Sequence, residues 1–316
     1  MKEGDEGAEK GMLLDQVVAP EHRSGFVALV GKPNVGKSTL LNIWLGTKVM
    51  AVSPKPQTTR NRLLGILTRP DAQVIFVDTP GIHLAKSKLG DYMVEMAKRA
   101  IPDADVLLFM VDVSHPPSRA DREVAKLLSD LRQDLAVVLA MNKVDLVGEK
   151  EREQHTAAYQ ALGRFDAALC ISALMGYNRG ELLEMIVSKL PLGPRYYPED
   201  QLTDQQERFI ASELIREQVL RCLEQEVPHA VAVVVQEFKE RPNDVIYVSA
   251  NIYTERDSQK GIVIGRGGAM IKRIGQGARG ALQEFLGRKV YLDLWVKVRK
   301  DWRRKEQSLR EFGYTL

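Results

Sequence analysis

Cysteine is scarce in this sequence, which contains only Cys170 and Cys222 among its 316 residues. Small secreted domains that depend on disulfides instead carry several closely spaced cysteines. Cys170 lies in an apolar run typical of a buried strand, and Cys222 lies in an amphipathic helical pattern. Both are therefore predicted to be reduced core thiols, and neither a disulfide nor a cysteine metal site is expected.

Long apolar runs are also missing, since none approaches the roughly 20 residues that a membrane-spanning helix requires. The first 25 residues are acidic and glycine-rich, and they lack the basic start and apolar centre of a secretory signal. Hydrophobic residues make up 44% of the chain and charged residues 28%, as in an ordinary globular protein. These features predict a folded protein that stays in the cytoplasm.

A strong overall charge is absent as well, because the formal net charge is only +3. The two signs are nevertheless distributed unevenly. Residues 260–316 contain 14 Lys and Arg against 5 Asp and Glu, a balance of +9, which leaves −6 for the rest of the chain. A merely solvated surface would mix both signs, so this end of the protein is predicted to bind an anionic partner.

Apolar runs alternate with amphipathic helical patterns up to about residue 190. The runs fall at 26–30, 73–78, 105–112, 135–142 and 167–172. Helical patterns with apolar residues three and four apart lie between them, for example at 89–101, 119–132 and 179–190. This order predicts an α/β domain with a doubly wound, mostly parallel sheet, in which ligands bind at the carboxyl ends of the strands.

The segment 191–200 contains three prolines in ten residues and is predicted to be a semi-rigid connection. After it, the pattern predicts a long helix from about Thr203 to Glu224, two strands, a glycine-rich loop, a helix from about Ala269 to Leu286 and a last strand. We divide the chain into an acidic, disordered arm (1–24), a first domain (25–190), a linker (191–203) and a smaller α+β domain with a basic end (204–316).

The sequence GKPNVGKS at 31–38 fits the pattern GxxxxGK[ST] and lies between a predicted strand and a predicted helix. In this context the backbone N–H groups surround phosphates, Lys37 reaches the β and γ oxygens, and the Ser38 hydroxyl binds Mg²⁺. The predicted phosphate-binding residues are Gly31, Lys32, Pro33, Asn34, Val35, Gly36, Lys37, Ser38 and Thr39.

A second motif, DTPG, ends the apolar run at 73–78. It places the Asp78 carboxylate beside the metal and the Gly81 amide where it can sense a γ-phosphate. The preceding polar segment SPKPQTTRNR contains Thr58 and Thr59, and one of these hydroxyls is predicted to complete the metal shell when the γ-phosphate is present.

A third motif, NKVD at 142–145, ends the run at 135–142. Asp145 can accept hydrogen bonds from N1 and the exocyclic amine of guanine, while Asn142 and the stem of Lys143 hold the base. The tripeptide Ser172, Ala173 and Leu174 follows the next strand and is predicted to offer a backbone amide to the guanine oxygen. The nucleotide is therefore GTP or GDP rather than ATP, which argues against a kinase or a motor.

The glycine-rich loop in the second domain reads VIGRGGAMI and opens a predicted helix. A GxxG loop between strands and a helix is typical of KH domains, where it clamps the backbone of single-stranded RNA. The predicted RNA-binding residues are Ile264, Gly265, Arg266, Gly267, Gly268, Lys272 and Arg273. Arg279, Lys289 and the cluster Arg303, Arg304 and Lys305 are further candidates for phosphate contacts, or else solvated side chains.

A guanine-nucleotide P-loop domain followed by a KH domain resembles the Era family of bacterial GTPases. The resemblance runs from about Gly25 to Leu316 and includes QTTR at 57–60, EVPH at 226–229 and VIGRGG at 263–268. It implies a GTP-hydrolysing switch that binds 16S rRNA near its 3′ end through a type II KH domain and assists assembly of the 30S subunit. It also implies a monomer with Mg²⁺ and GTP or GDP as its ligands.

The resemblance further implies particular roles for some residues. Thr59, which directly precedes an arginine, is favoured over Thr58 as the metal ligand, so the implied metal set is Ser38, Thr59 and Asp78. Lys37, Thr59 and Gly81 are the implied catalytic set. Asn34 matches a K⁺-binding asparagine of potassium-activated GTPases, although it could equally be a residue that only shapes the loop.

Ile82 occupies the position where Ras-type GTPases have a glutamine that orients water. Unassisted hydrolysis is therefore expected to be slow. A competing interpretation of the basic end is a GTPase that docks peripherally on anionic membranes at the inner face, because positive charge alone does not distinguish lipid headgroups from RNA.

Overall fold

The computed structural model of the chain describes residues 21–55, 58–82, 87–131 and 135–314. Most of the arm predicted for residues 1–24 lies outside these ranges. The first strand begins at Arg23, however, and Ser24 is fully buried. The prediction that the arm extends to residue 24 is therefore wrong for these two residues, which pair with the neighbouring strand and belong to the first domain.

The first domain is built on a sheet that has six strands among the described residues. They are β1 (Arg23–Val30), β2 (Leu63–Thr68), β3 (Ala72–Asp78), β4 (Val106–Asp112), β5 (Ala136–Asn142) and β6 (Ala167–Cys170). Their order is β2-β3-β1-β4-β5-β6, and every pair is parallel except β2 with β3. This confirms the predicted doubly wound, mostly parallel sheet, and the carboxyl ends of β1, β3 and β5 lie along one edge.

Helices cover both faces of this sheet. They are α1 (Lys37–Leu45), α2 (Lys88–Ala100), α3 (Arg119–Leu131), α4 (Glu149–Gln160) and α5 (Arg179–Val187). Apolar cores result on both faces, and a smaller cluster around Ile66 and Ile75 packs beside them. The strand interiors are almost continuously buried, as expected when a parallel sheet is covered on both sides.

Edge strand β2 is an element that the sequence pattern does not predict. Its six residues contain Gly65, and glycine weakens a strand signal. The strand exists because it pairs antiparallel with β3 over its whole length.

The proline-rich connection lies along the first domain. The Gln73 side chain accepts hydrogen bonds from the backbone N–H groups of Tyr196 and Tyr197 at 2.7 and 3.0 Å. The N–H of Ile66 donates to the carbonyl of Leu202 at 2.9 Å. These contacts attach the connection to β2 and β3, so it does not swing freely.

The second domain has a smaller sheet, with three strands in the described part of the chain, packed on helices. Its elements in order are α6 (Glu207–Cys222), β7 (Ala232–Arg241), β8 (Val245–Thr254), α7 (Asp257–Ile264), α8 (Ala269–Leu286), β9 (Lys289–Val298) and α9 (Glu306–Glu311). Strands β7 and β8 are antiparallel, whereas β8 and β9 are parallel.

Two details of this domain differ from the sequence-based expectation. Helix α6 is shorter at both ends than the predicted span from Thr203 to Glu224. Helix α7 is not predicted, because Ile262, Val263 and Ile264 are β-branched and favour strands. Packing overrides that preference, since Val263 is fully buried against the core of the domain.

The C-terminal segment returns to the first domain. Trp302, Leu309 and Tyr314 form an apolar cluster with Leu89 and Met93 of α2. No helix within the described ranges is both long enough and apolar enough to span a bilayer.

Candidate nucleotide site and GxxG loop

The loop after β1 has the backbone of a phosphate cradle. Gly36 has φ of 106°, and a Cβ atom there would lie 2.3 Å from Nδ2 of Asn142. Only glycine fits such a close approach in this region of backbone space. Helix α1 begins at the next residue, so its unpaired N–H groups and positive dipole end face the loop.

Lys37 is held at the centre of this cradle. Its side chain is buried, and Nζ donates to the carbonyls of Gly31 and Lys32 at 3.2 and 3.3 Å. Burial lowers the pKa of Lys37, and the nearby Asp78 carboxylate opposes that effect. The ammonium group is thus poorly solvated and well placed to pair with an anionic ligand.

The side chain of Lys32 is directed elsewhere. Its Nζ donates to the buried Asp121 carboxylate at 2.9 Å. Lys32 can therefore offer only its backbone to a phosphate, because the ion pair with Asp121 neutralises the charge of its side chain.

Three oxygen-bearing side chains from different elements converge beside the cradle. Ser38 Oγ donates to Oδ2 of Asp78 at 2.7 Å, and Thr59 Oγ1 donates to the same oxygen at 3.2 Å. The two hydroxyl oxygens are 3.0 Å apart. Thr58 instead directs its hydroxyl to the carbonyl of Lys55 at 2.7 Å, so the geometry favours Thr59.

This oxygen cluster fits Mg²⁺. The second carboxylate oxygen of Asp78, Oδ1, is buried and has no hydrogen-bond partner among the described residues. Burial raises the pKa of Asp78, against the lowering effects of Lys37, Ser38 and Thr59. A hard divalent cation with oxygen ligands would satisfy the unpaired atom and offset the desolvation.

A cleft of about 600 Å³ adjoins the cradle and is lined by the other two motifs. Its polar lining includes Asn34, Thr39, Asn142, Lys143, Asp145 and Ser172. Asp145 is exposed at the cleft, where its carboxylate is available to a base. The Lys143 Nζ donates to Asp112 at 2.6 Å. Desolvation would raise the pKa of Asp112, but the hydrogen bonds from Lys143 and Ser114 outweigh it and keep the pKa low.

Asn142 has a role that the sequence pattern did not predict. Its Nδ2 donates to the carbonyl of Val35 at 2.8 Å, and its Oδ1 accepts the N–H of Ala173 at 2.8 Å. Both polar atoms are thus used to join the phosphate loop to the segment 172–174. The Ala173 amide is engaged as well, so a guanine oxygen would have to displace Asn142 or use the N–H of exposed Leu174.

The DTPG segment closes over the phosphate loop. The N–H of Ile82 donates to the carbonyl of Gly31 at 3.2 Å. Gly81 lies so close to the loop that a Cβ atom would be 2.6 Å from the Pro33 nitrogen. The Ile82 side chain is buried in the apolar core, so it cannot orient water.

The GxxG loop is organised differently, because its geometry rests on backbone rather than on side-chain contacts. Gly265 has φ of 74°, and a Cβ atom there would lie 2.8 Å from the Met270 nitrogen. Gly267 has φ of 59°, yet nothing lies within 4 Å of its Cβ position. Space above Gly267 is therefore open to a ligand, whereas Gly265 is needed by the loop itself.

The basic residues near this loop fall into two groups. Arg266, Lys272, Arg273 and Arg279 are exposed, and no ion pair among the described residues includes them. Arg303, in contrast, pairs with Glu255 at 2.6 Å. The candidate role of Arg303 as a phosphate contact is therefore weakened, because its charge is already neutralised within the domain.

Some residues around the site were not assigned a role from the sequence. Arg60 and Arg216 are both 1% exposed. Arg60 follows Thr59 in the chain and donates to the carbonyl of Val231, whereas Arg216 donates to the carbonyl of Thr58. Arg60 is the last residue of the QTTR motif, which is a weak signal. Arg216 lies within α6, far away in sequence, and only the tertiary structure brings it to the site.

Comparison with known proteins agrees with this geometry. Residues 26–143 match a family model described as "50S ribosome-binding GTPase", and residues 226–303 match a KH domain model. The chain is 50% identical to the GTPase Era of Caldanaerobacter subterraneus subsp. tengcongensis over 296 residues, which cover 93% of this chain and 99% of that protein.

Two solved structures are similar over their whole length. One is Era in complex with MgGDPNP and nucleotides 1506–1542 of 16S ribosomal RNA, with a TM-score of 0.89, 42% identity, and coverage of 93% of this chain and 100% of that one. The other is an Aquifex aeolicus Era variant bound to GDP and AlF4⁻, with a TM-score of 0.87, 40% identity and the same coverage. The chain therefore belongs to the Era family of GTPases.

Proposed function

We propose that this GTPase is a molecular switch that binds 16S rRNA near its 3′ end through the GxxG loop and assists assembly of the 30S subunit. One observation carries the nucleotide half of the proposal: Ser38, Thr59 and Asp78 meet beside the buried Lys37. The RNA half is supported by the open GxxG loop, and by the 16S rRNA fragment bound in a relative of 42% identity.

The chain supplies electrostatic stabilisation and positioning rather than covalent chemistry. Lys37 and the N–H groups at the start of α1 would bind the phosphate oxygens, while Asp145 would select guanine. Mg²⁺, when held by Ser38, Thr59 and Asp78, would neutralise part of the charge on the β- and γ-phosphates. Thr59 would complete the metal shell only while the γ-phosphate is present, which would make its loop sensitive to the γ-phosphate.

Hydrolysis without a partner is proposed to be slow. Buried Ile82 cannot orient water, so backbone groups around Gly81 must do so. Asn34 donates from Nδ2 to the carbonyl of Pro54 at 2.6 Å, which supports a loop-shaping role but leaves its Oδ1 for a cation. The ratio of the turnover rates in potassium and sodium salts decides between these roles, and a ratio near one would exclude a K⁺ site.

The RNA part of the proposal can be tested at Gly267. Gly267→Asp places a negative charge in the open space, and Gly267→Asn is the matched control, because asparagine is nearly isosteric and tolerates the left-handed region. Each full-length variant would be loaded with GDPNP or GDP and titrated with single-stranded RNA containing the 3′ end of 16S rRNA across a salt series.

We expect Gly267→Asp to weaken binding by about tenfold or more, and Gly267→Asn to change it much less. Equal affinities for the two variants would contradict an RNA clamp at this loop. Binding of the same proteins to anionic vesicles tests peripheral membrane association, and sedimentation tests the proposed monomeric state.

A further inference from the structure

Consecutive residues in the loop before β2 face different domains of the molecule. Thr59 points to the oxygen cluster, with its hydroxyl 3.2 Å from Asp78. The next side chain, Arg60, leaves the first domain altogether. It donates to the carbonyls of Val231 and His229 at 2.7 and 3.2 Å, and to the Tyr314 hydroxyl at 3.2 Å.

The second domain forms a closed receptacle for this arginine. The Arg60 guanidinium lies 5.7 Å from the centre of the Trp302 ring, within the range of a cation–π interaction. Trp302 is itself fully buried and donates its Nε1–H to the carbonyl of Ala230 at 2.9 Å. Both the turn at 228–230 and the C-terminal segment thus contact Arg60 and fix its position.

The residue before Thr59 is held by a second buried arginine. Arg216 of α6 donates to the carbonyl of Thr58, and its guanidinium is fixed by Glu213, which accepts from Nε at 2.9 Å. The loop is therefore attached to the second domain on both sides of Thr59.

All these partner groups belong to the segment 213–314, so the contacts exist only while the second domain is docked. If the loop moved while the domains stayed docked, the acceptors buried around Arg60 would lose their donor, which is strongly unfavourable. The position of the loop is therefore tied to the docking of the domains. The exposed Lys88–Glu306 ion pair, another contact between the domains, does not touch this loop. Arg221 of α6 does reach it, by donating to the carbonyl of Val52 at 3.3 Å.

We infer that Arg60 and Arg216 are positioning residues for GTP hydrolysis, through which the second domain holds Thr59 at the metal site. The inference rests on the proposed role of Thr59 as a metal ligand, and it makes the RNA-binding domain part of the hydrolytic arrangement. A change in domain docking is thereby transmitted to the nucleotide through Arg60 and Arg216.

The test is GTP hydrolysis by the full-length chain as a function of Mg²⁺ concentration, with GDP affinity measured in parallel. The variants are Arg60→Ala, Arg60→Lys, Thr59→Ala and the double variant that combines Thr59→Ala with Arg60→Ala. Arg62→Ala is the matched control, because Arg62 lies two residues further on and its ion pair among the described residues is the exposed one with Asp103 at 3.7 Å. Arg216→Gln examines the other attachment.

We expect Arg60→Ala to lower the turnover rate between about tenfold and 100-fold and to raise the Mg²⁺ midpoint, with GDP affinity unchanged. Arg60→Lys should restore little, since an ammonium group cannot match the planar donors of arginine. The double variant should be no slower than Thr59→Ala, because Thr59→Ala already removes the hydroxyl that Arg60 holds in position.

Additive losses in the double variant, a parallel loss of GDP affinity, or an unchanged rate in Arg60→Ala would each overturn the inference. If Thr59→Ala alone hydrolysed GTP as fast as the unmodified chain, the proposed metal role of Thr59 would fail, and this inference with it. The two failures are therefore distinguishable.

Discussion

The nucleotide cleft and the GxxG loop are both proposed to bind phosphate, yet they are built in opposite ways. In the phosphate cradle of the nucleotide site, Lys37 and Asp78 are buried and their atoms are fixed by hydrogen bonds to neighbours. At the GxxG loop, Gly267 and the cations beside it are exposed. A buried, preorganised site is costly to perturb, whereas an exposed one distributes its affinity over many weak contacts.

The largest effect should come from the buried carboxylate of the cleft. Asp78→Asn keeps the size of the side chain but removes the charge that offsets Mg²⁺, so we expect GTP turnover to fall by about 10² or more. Asp105→Asn is the control, because Asp105 also accepts a partly buried hydrogen bond, in its case from the backbone N–H of Phe26 at 2.7 Å, at the opposite end of the sheet. If the two variants hydrolysed GTP at equal rates, the Asp78 carboxylate would have no special role compared with a carboxylate at the other end of the sheet.

The next effect concerns selection of the base. Asp145→Asn exchanges an acceptor for a group that can also donate, so GTP affinity should fall between about 10-fold and 100-fold. Affinity for the xanthine nucleotide should rise, because xanthine presents an acceptor where guanine has its amine. Competition between GTP and XTP measures both changes, and an unaltered preference for guanine would show that Asp145 does not contact the base.

A smaller effect sharpens the comparison within the GxxG loop itself. Gly265→Ala meets the backbone of Met270, so it should lower the free energy of unfolding by about 1–3 kcal/mol. Gly267→Ala has open space and should cost only about 1 kcal/mol for its left-handed backbone. Urea denaturation compares them, and equal losses would contradict the division into a structural glycine and an exposed one.

The smallest effect should come from a single exposed cation. Lys272→Ala should weaken RNA binding a few-fold and reduce the slope of log affinity against log salt by about 0.7, the value for one phosphate contact on a single strand. Lys150→Ala on α4 of the first domain is the matched control. If Lys150→Ala reduced the slope by as much, the cations beside the GxxG loop would have no special role in binding RNA.

Much of the fold followed from local patterns. The bounds of α8 coincide with the predicted span, because the helix has a clear apolar period and lies between Gly268 and Gly287. Strand β2 and helix α7 were not predictable, because pairing with β3 in one case and burial of Val263 in the other override the local preference.

By itself, the sequence determined the chemistry of the cleft. The phosphate loop, DTPG and NKVD each place their functional groups within a few residues of a strand end, where local backbone geometry sets their positions. Only the tertiary structure decided which side chains those groups contact. Asn142 joins two loops, Lys32 pairs with Asp121, and Arg60 crosses into the second domain. These partners lie far away in sequence, and a side chain chooses among them by burial and hydrogen bonding that exist only after the chain has folded.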